Sequence, residues 1–157
     1  AEVIRDSILK MSGLLDERMF GAGTLDERMK RRSIYFMIKR SKLIPSMQLF
    51  DSPEPLVSQG SRPVTIIAPQ ALHFMNNGQV RASAMELARQ LKAQPDTAAA
   101  VTLGYQTVLG RAPTPKEQKS IASFIDVQEQ SYTNNGRELA LADFVQVLFG
   151  LNEFIVQ

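Results

Sequence analysis

The chain of 157 residues contains no cysteine, no tryptophan and a single histidine. Because disulfide scaffolds, zinc ribbons, iron–sulfur proteins and covalently attached haem all need cysteine, the sequence excludes these classes. No run of eighteen apolar residues occurs, so we expect no membrane span. The length predicts a single domain over residues 1–157, and 44% hydrophobic residues are enough for a sizeable core.

Positive charge is concentrated in one part of the chain, although the net charge is only +2. Residues 28–42 carry seven Lys and Arg side chains and no acid, whereas residues 95–157 carry four cations against seven carboxylates. The basic segment 28–42 could bind an anion or a nucleic acid, solvate one side of a helix, or pair with the acidic C-terminal part. The small net charge and the lack of interleaved aromatic residues argue against nucleic acid.

The hydrophobic pattern predicts an all-α fold, a compact bundle of about six helices. Apolar residues recur at intervals of three and four from Ile4 to Leu15, from Val80 to Leu91 and from Leu141 to Leu148. Asp96 is a predicted N-cap, and Gly110 is predicted to end the helix that Asp96 begins. The strongest local signal is residues 114–117, where a cap hydroxyl, a first-turn proline and a capping-box glutamate coincide.

One segment is ambiguous between helix and strand. Residues 34–38 form an unbroken apolar run, which either kind of element can bury. Residues 24–27 have the form of a capping box, and cations from Lys39 to Lys42 would suit a helix C-terminus. We therefore predict a helix here, ended by Pro45.

Residues 45–68 combine four prolines and Gly60 with many apolar side chains. The prolines oppose regular structure, yet the segment is too apolar for a free linker. We predict a long ordered loop that apolar anchors hold against the helices. Such loops are often functional, and simple tethering to a neighbour is the alternative.

The few candidates for catalysis stand alone. His73 lacks partners for a metal site and lies between apolar residues, which predicts a packed histidine. Asp51 and Glu54 could form a carboxylate pair for glycan cleavage or could bind loop amides. Arg62 could be a buried tether to a carboxylate or an exposed anion contact. No nucleophile elbow or phosphate-binding glycine pattern occurs, so we predict no catalytic, cofactor-binding or metal-binding residue in this chain.

Seven short blocks follow one another in a characteristic order. They are AEVIRD at 1–6, SGLLD at 12–16, RRSIY at 31–35, FDSPEP at 50–55, APQAL at 68–72 with MNN at 75–77, LGRAPT at 109–114 and NEF at 152–154. Together they resemble the C-terminal part of the planctomycete cytochrome-associated family of unknown function, the PSD-one domain. The likeness runs nearly end to end.

The resemblance implies a large exported protein, and hence a periplasmic or otherwise extracytoplasmic location. It also implies a further domain upstream and haem in an associated domain or subunit. The family normally begins well before Ala1, so the chain resembles a fragment or a processed subunit, although a cytoplasmic protein remains the alternative reading of its first residues. Relatives tend to have cysteine before the loop arginine, where this chain has Gln59. That difference argues against a thiol-based role.

A weaker likeness concerns the C-terminal third. Residues 105–117 and 144–154 are similar to the helical repeat of phycobilisome linkers. Those are mostly assembly modules, and the analogy favours a scaffolding role.

We therefore predict a non-catalytic structural module that binds other protein subunits, or the upstream part of its own protein, within a cytochrome-associated assembly. The alternatives are a glycan-acting extracellular enzyme and anion or nucleic-acid binding through residues 28–42. The predicted partner-binding residues are Arg31, Arg32, Tyr35, Phe50, Asp51, Pro53, Glu54 and Arg62.

Overall fold

The computed structural model describes residues 1–55, 58, 60, 61 and 65–155. Within these residues the secondary structure is helical, which confirms the predicted all-α class. The helices, in chain order, are α1 (Glu2–Met11), α2 (Pro45–Leu49), α3 (Ala68–Asn76), α4 (Gly78–Lys92), α5 (Thr97–Leu109), α6 (Pro115–Ser131), α7 (Gly136–Phe149) and α8 (Asn152–Ile155). The described part thus holds eight helices where about six were expected, because the short α2 and α8 have too few residues to show a periodic pattern.

The core is built around α4 and α7, which pack against each other along their length, with α6 on the far side of α7. The inward positions predicted for α4, from Val80 to Leu91, are buried. Those predicted for α7, from Leu141 to Leu148, are buried as well. Nothing in the described helices is both long and apolar enough to cross a bilayer.

Local capping chemistry fixes the ends of the helices as predicted. Asp96 accepts a hydrogen bond from the Ala99 N–H at 2.7 Å, and Gly110 ends α5 in the left-handed region at φ 69°. Thr114 and Glu117 bond each other's backbone amides, so the predicted capping box forms at the start of α6.

The prediction of a helix after residues 24–27 is wrong. Residues 33–35 form a single 3-10 turn, and Phe36 then extends to pair with Thr24. The Glu27 carboxylate does not return to Thr24. It accepts bonds from the Ser46 N–H and hydroxyl at 3.1 and 2.7 Å.

Pro45 does not end a helix, as predicted, but begins one. It is the first residue of α2, where the missing N–H costs nothing and the fixed φ suits a helix. Glu27 supplies a carboxylate to the first turn of α2, which favours the same assignment. The predicted loop 45–68 is therefore helical in its first five residues, and Leu56, Val57 and Pro63 lie outside the described residues.

Arg111 joins the C-terminal elements. Its guanidinium makes paired hydrogen bonds to the carboxylates of Glu117, at 2.8 and 3.0 Å, and Glu153, at 2.6 and 2.9 Å. It also lies 5.2 Å from the centre of the Tyr105 ring. These hydrogen bonds to Arg111, with those from Thr114, lower the pKa of Glu117 from its usual 4.5 to about 2.

Replacing Arg111 by glutamine is expected to make the protein more sensitive to acid. A folded-state pKa below the unfolded one contributes stability above about pH 4.5, and this contribution is lost as the pH falls toward 2. Arg111→Gln should therefore move the midpoint of acid unfolding, followed by circular dichroism, to higher pH. Lys116→Gln removes an exposed cation that makes no ion pair to a described residue, and it should leave the midpoint in place. Equal midpoints for all three proteins would contradict this role of Arg111.

Candidate functional site

A groove opens between α1, the turn at residues 33–35 and the chain that leads through α2 to residue 55. Its volume is about 690 Å³. We call it the groove throughout. Its lining residues are Glu2, Asp6, Arg32, Ser33, Ile34, Phe36, Met37, Ile38, Leu43, Ile44, Met47, Gln48, Asp51, Ser52, Pro53, Glu54 and Pro55.

Polar side chains of α1 hold one wall of the groove in place. Asp6 accepts hydrogen bonds from the Ser33 N–H at 2.8 Å and from its hydroxyl at 2.6 Å. Arg5 donates to the backbone carbonyls of Arg31 and Met29, and its guanidinium lies 4.6 Å from the Phe36 ring centre. The irregular segment after α1 is therefore ordered by side chains of α1 and not by its own backbone pairing.

The predicted partner-binding residues Arg31 and Tyr35 are engaged within the chain. The Arg31 guanidinium lies 3.5 Å from the centre of the Tyr35 ring and donates to the carbonyls of Arg18, Phe20 and Ala22. The Tyr35 hydroxyl accepts a hydrogen bond from the Phe20 N–H at 2.7 Å. Both side chains thus position the loop that follows α1.

Arg32 lines the groove and forms an ion pair with Asp6, at 3.8 Å between Nε and Oδ2. Its side chain is largely exposed, so this contact leaves the guanidinium accessible to a second partner. Pro53 and Glu54 also line the groove. Glu54 is exposed and makes no hydrogen bond or ion pair to a described residue.

Phe50 and Asp51 take different roles although they are neighbours. Phe50 is buried, and its ring centre lies 5.3 Å from that of Phe74 and 5.6 Å from that of His73. Asp51 has a positive φ of 59°, and its carboxylate accepts bonds from the Thr65 N–H at 2.7 Å and hydroxyl at 2.8 Å. Asp51 therefore ties the start of the proline-rich segment to its end, while Arg62 lies outside the described residues.

His73 is packed between aromatic rings, edge-on to both Phe50 and Phe74. Burial lowers its pKa, so the imidazole favours its neutral form. Among the residues described, no group of three histidine, aspartate or glutamate side chains could hold a metal ion.

Sequence reasoning missed the exposed apolar side chains of the groove. Ile34 is 73% exposed and Ile38 is 79% exposed, and Met37 is also open to solvent. The predicted helix would have buried this run. The available signal is that three cations, Lys39, Arg40 and Lys42, follow this run directly and favour an exposed position for its end.

The charged side chains that line the groove are predominantly acidic. The lining contains the carboxylates of Glu2, Asp6, Asp51 and Glu54 against the single guanidinium of Arg32. Exposed apolar side chains among polar ones are typical of surfaces that bind a protein, a membrane or a ligand.

The structure is thus an all-α domain. On one face it carries an irregular segment that hydrogen bonds from side chains of α1 hold in place. Residues 1–125 match the model of the PSD1 family, described as a protein of unknown function (DUF1553). The chain belongs to this family, which confirms the resemblance seen in its sequence. Neither the curated proteins nor the solved structures contain a match. The matched range covers the whole groove and ends within α6.

Proposed function

We propose that this chain is a non-catalytic interaction module of a larger, exported, cytochrome-associated assembly. In this proposal the groove binds a segment of another protein subunit that carries both apolar and basic side chains. The observation that carries the proposal is that the exposed Ile34, Met37 and Ile38 share the lining of the groove with four carboxylates and one guanidinium. Any haem would reside in an associated domain or subunit, and the assembly would be periplasmic or otherwise extracytoplasmic.

Burial of these three apolar side chains supplies the affinity in this account. Removing a large aliphatic side chain from water stabilises a complex by about 1.5–3 kcal/mol. Because the wall is already ordered by Asp6 and Arg5, a partner would lose little free energy in organising it.

Charge determines which segment fits. Four carboxylates and one guanidinium line the groove, so a segment with Lys or Arg at its edges is complementary to it. Glu54 is the carboxylate best placed to receive such a cation, since Asp6 and Asp51 already accept several hydrogen bonds.

The geometry supports a binding role over glycan cleavage. A glycosidase needs two carboxylates that are both available to the sugar, one as acid and one as base or nucleophile. Both carboxylate oxygens of Asp51 accept hydrogen bonds from Thr65, so this carboxylate holds two parts of the loop together.

The proposal predicts a solvent-accessible apolar surface that depends on Ile34. An environment-sensitive apolar dye should bind the purified chain, and Ile34→Gln should lower its fluorescence. Ile34 lies outside the buried core, so the thermal midpoint should stay unchanged. Val127→Gln, at an exposed apolar position of α6, is the matched control and should leave the groove signal intact. A compact monomer by light scattering that binds no dye would overturn the proposal.

A further inference from the structure

Residues 37–42 form an exposed turn, which we call the basic tip. The Lys42 N–H donates to the Lys39 carbonyl at 2.9 Å, and these two residues pair as an isolated antiparallel bridge. All six residues are exposed to solvent. The tip therefore presents Met37 and Ile38 directly beside three cations, Lys39, Arg40 and Lys42.

Of the seven cations of residues 28–42, three have partners for their side chains among the described residues. Arg28 pairs with Asp26, Arg31 donates to backbone carbonyls, and Arg32 pairs with Asp6. In contrast, the side chains of Lys30, Lys39 and Arg40 make no hydrogen bond or ion pair to any described residue. Lys42 contributes to lowering the pKa of Asp26, after the larger effect of Arg28, without forming an ion pair in the described part.

We propose that the basic tip binds the surface of an anionic lipid bilayer. Ile38 and Met37 would enter the boundary between headgroups and acyl chains, and Lys39, Arg40 and Lys42 would bind the lipid phosphates. Exposed aliphatic side chains flanked by cations are complementary to this interface, where apolar and anionic groups lie within a few ångströms of each other.

The neighbouring aromatic residues favour lipid over nucleic acid. Binding of single-stranded nucleic acid uses aromatic side chains on which bases stack. Tyr35 and Phe36 directly precede the tip in the sequence, and arginines cover both rings, at 3.5 Å for Arg31 over Tyr35 and 4.6 Å for Arg5 over Phe36. Besides its cations, the tip exposes the apolar side chains of Met37 and Ile38. A nucleic acid would gain no binding energy from Ile38, whereas a bilayer would.

Carboxylates near the tip do not cancel its charge. Residues 24–43 contain seven cations and two carboxylates, Asp26 and Glu27. Asp26 is bonded to Arg28, and Glu27 is bonded to Ser46 at the start of α2. Glu54 and Asp51 line the groove beside Ile38, but the three tip cations are not among the groove-lining residues.

The experiment is sedimentation of the full chain with vesicles of phosphatidylcholine, alone or containing about one third phosphatidylglycerol. We expect binding to the anionic vesicles only, and weaker binding at high salt. The triple variant Lys39→Gln, Arg40→Gln, Lys42→Gln should lower the partition coefficient on the order of a hundredfold. Ile38→Asn should lower it by roughly tenfold.

Matched controls separate the tip from general charge and hydrophobicity. Lys116→Gln with Lys119→Gln removes two exposed cations of α6, and Val127→Asn removes an exposed aliphatic side chain. Both controls should bind as the parent does. Equal binding to the two kinds of vesicle, or full binding by the triple variant, would overturn the proposal. So would binding to heparin or single-stranded DNA that needs the cations but is indifferent to Ile38→Asn.

The groove and the basic tip share Met37 and Ile38, so variants at positions that belong to only one of them separate the two proposals. Ile34→Gln tests the groove and should leave vesicle binding unchanged, whereas the triple cation variant should leave dye binding at the groove unchanged. Dye binding therefore tests the groove and vesicle binding tests the basic tip, so that either proposal can fail while the other holds.

Discussion

Replacing Phe74 by alanine is expected to lower the free energy of unfolding by about 3–5 kcal/mol. Phe74 is 1% exposed, and its ring contacts those of Phe50 and Phe154, with centre distances of 5.3 and 6.4 Å. The truncation removes a large buried surface and leaves a cavity among rigid neighbours. For a domain of this size, the thermal midpoint should fall by about 6–20 °C.

The same substitution should also loosen the groove. Phe74 anchors Phe50, which directly precedes Asp51 on the groove wall. Apolar-dye binding should therefore change in Phe74→Ala well below the unfolding transition. Phe74→Leu preserves most of the volume and should cost about 1–1.5 kcal/mol. A loss below about 1 kcal/mol for the alanine variant would show that the aromatic cluster does not anchor this region.

Gly136→Ala should destabilise the protein by about 2–3 kcal/mol, because a methyl group there has no space. A Cβ on Gly136 would lie 2.5 Å from the backbone carbonyl oxygen of Glu129. That oxygen belongs to α6, so the clash can be relieved only if the junction between α6 and α7 opens.

Gly78→Ala is the matched control for this variant. Gly78 and Gly136 each follow an asparagine and each begin a helix, α4 and α7 respectively. A Cβ on Gly78 meets no atom within 4 Å, so alanine should be neutral or stabilising by up to about 1 kcal/mol. Urea unfolding of both variants measures the difference. Equal stabilities would show that α6 and α7 can separate at little cost.

Those parts of the fold that depend on local chemistry could be predicted from the sequence. Asp96, Thr114 and Gly110 act through backbone groups within a few residues, so their caps follow from residue type and spacing. The buried face of α4 could be predicted for a similar reason, since its helical periodicity is uninterrupted.

The segment at residues 24–44 could not be predicted, because distant partners decide its structure. Asp6, which lies in α1, accepts a hydrogen bond from Ser33, and Glu27 accepts one from Ser46 in α2. Both carboxylates therefore bond residues that are distant in the sequence. These contacts override a local capping signal and an apolar run that favour a helix.

The candidate site shows the same dependence on long-range contacts. Arg31 and Arg32 are adjacent in sequence, yet Arg31 is used within the loop while Arg32 lines the groove. Phe50 and Asp51 likewise divide between the core and the groove wall. Residue type identified candidates for binding, but exposure depends on how α1 packs against the segments around it.

The central claim is that the groove binds a polypeptide segment of another subunit, and site-specific photo-crosslinking in the native assembly tests it most directly. A photoreactive side chain at Ile34 should form adducts with another polypeptide, at a segment that carries both apolar and basic residues. The same group at Val127, exposed on α6, should not label that segment. Adducts from Ile34 that stay within its own chain, or labelling of the same segment from both positions, would contradict the claim.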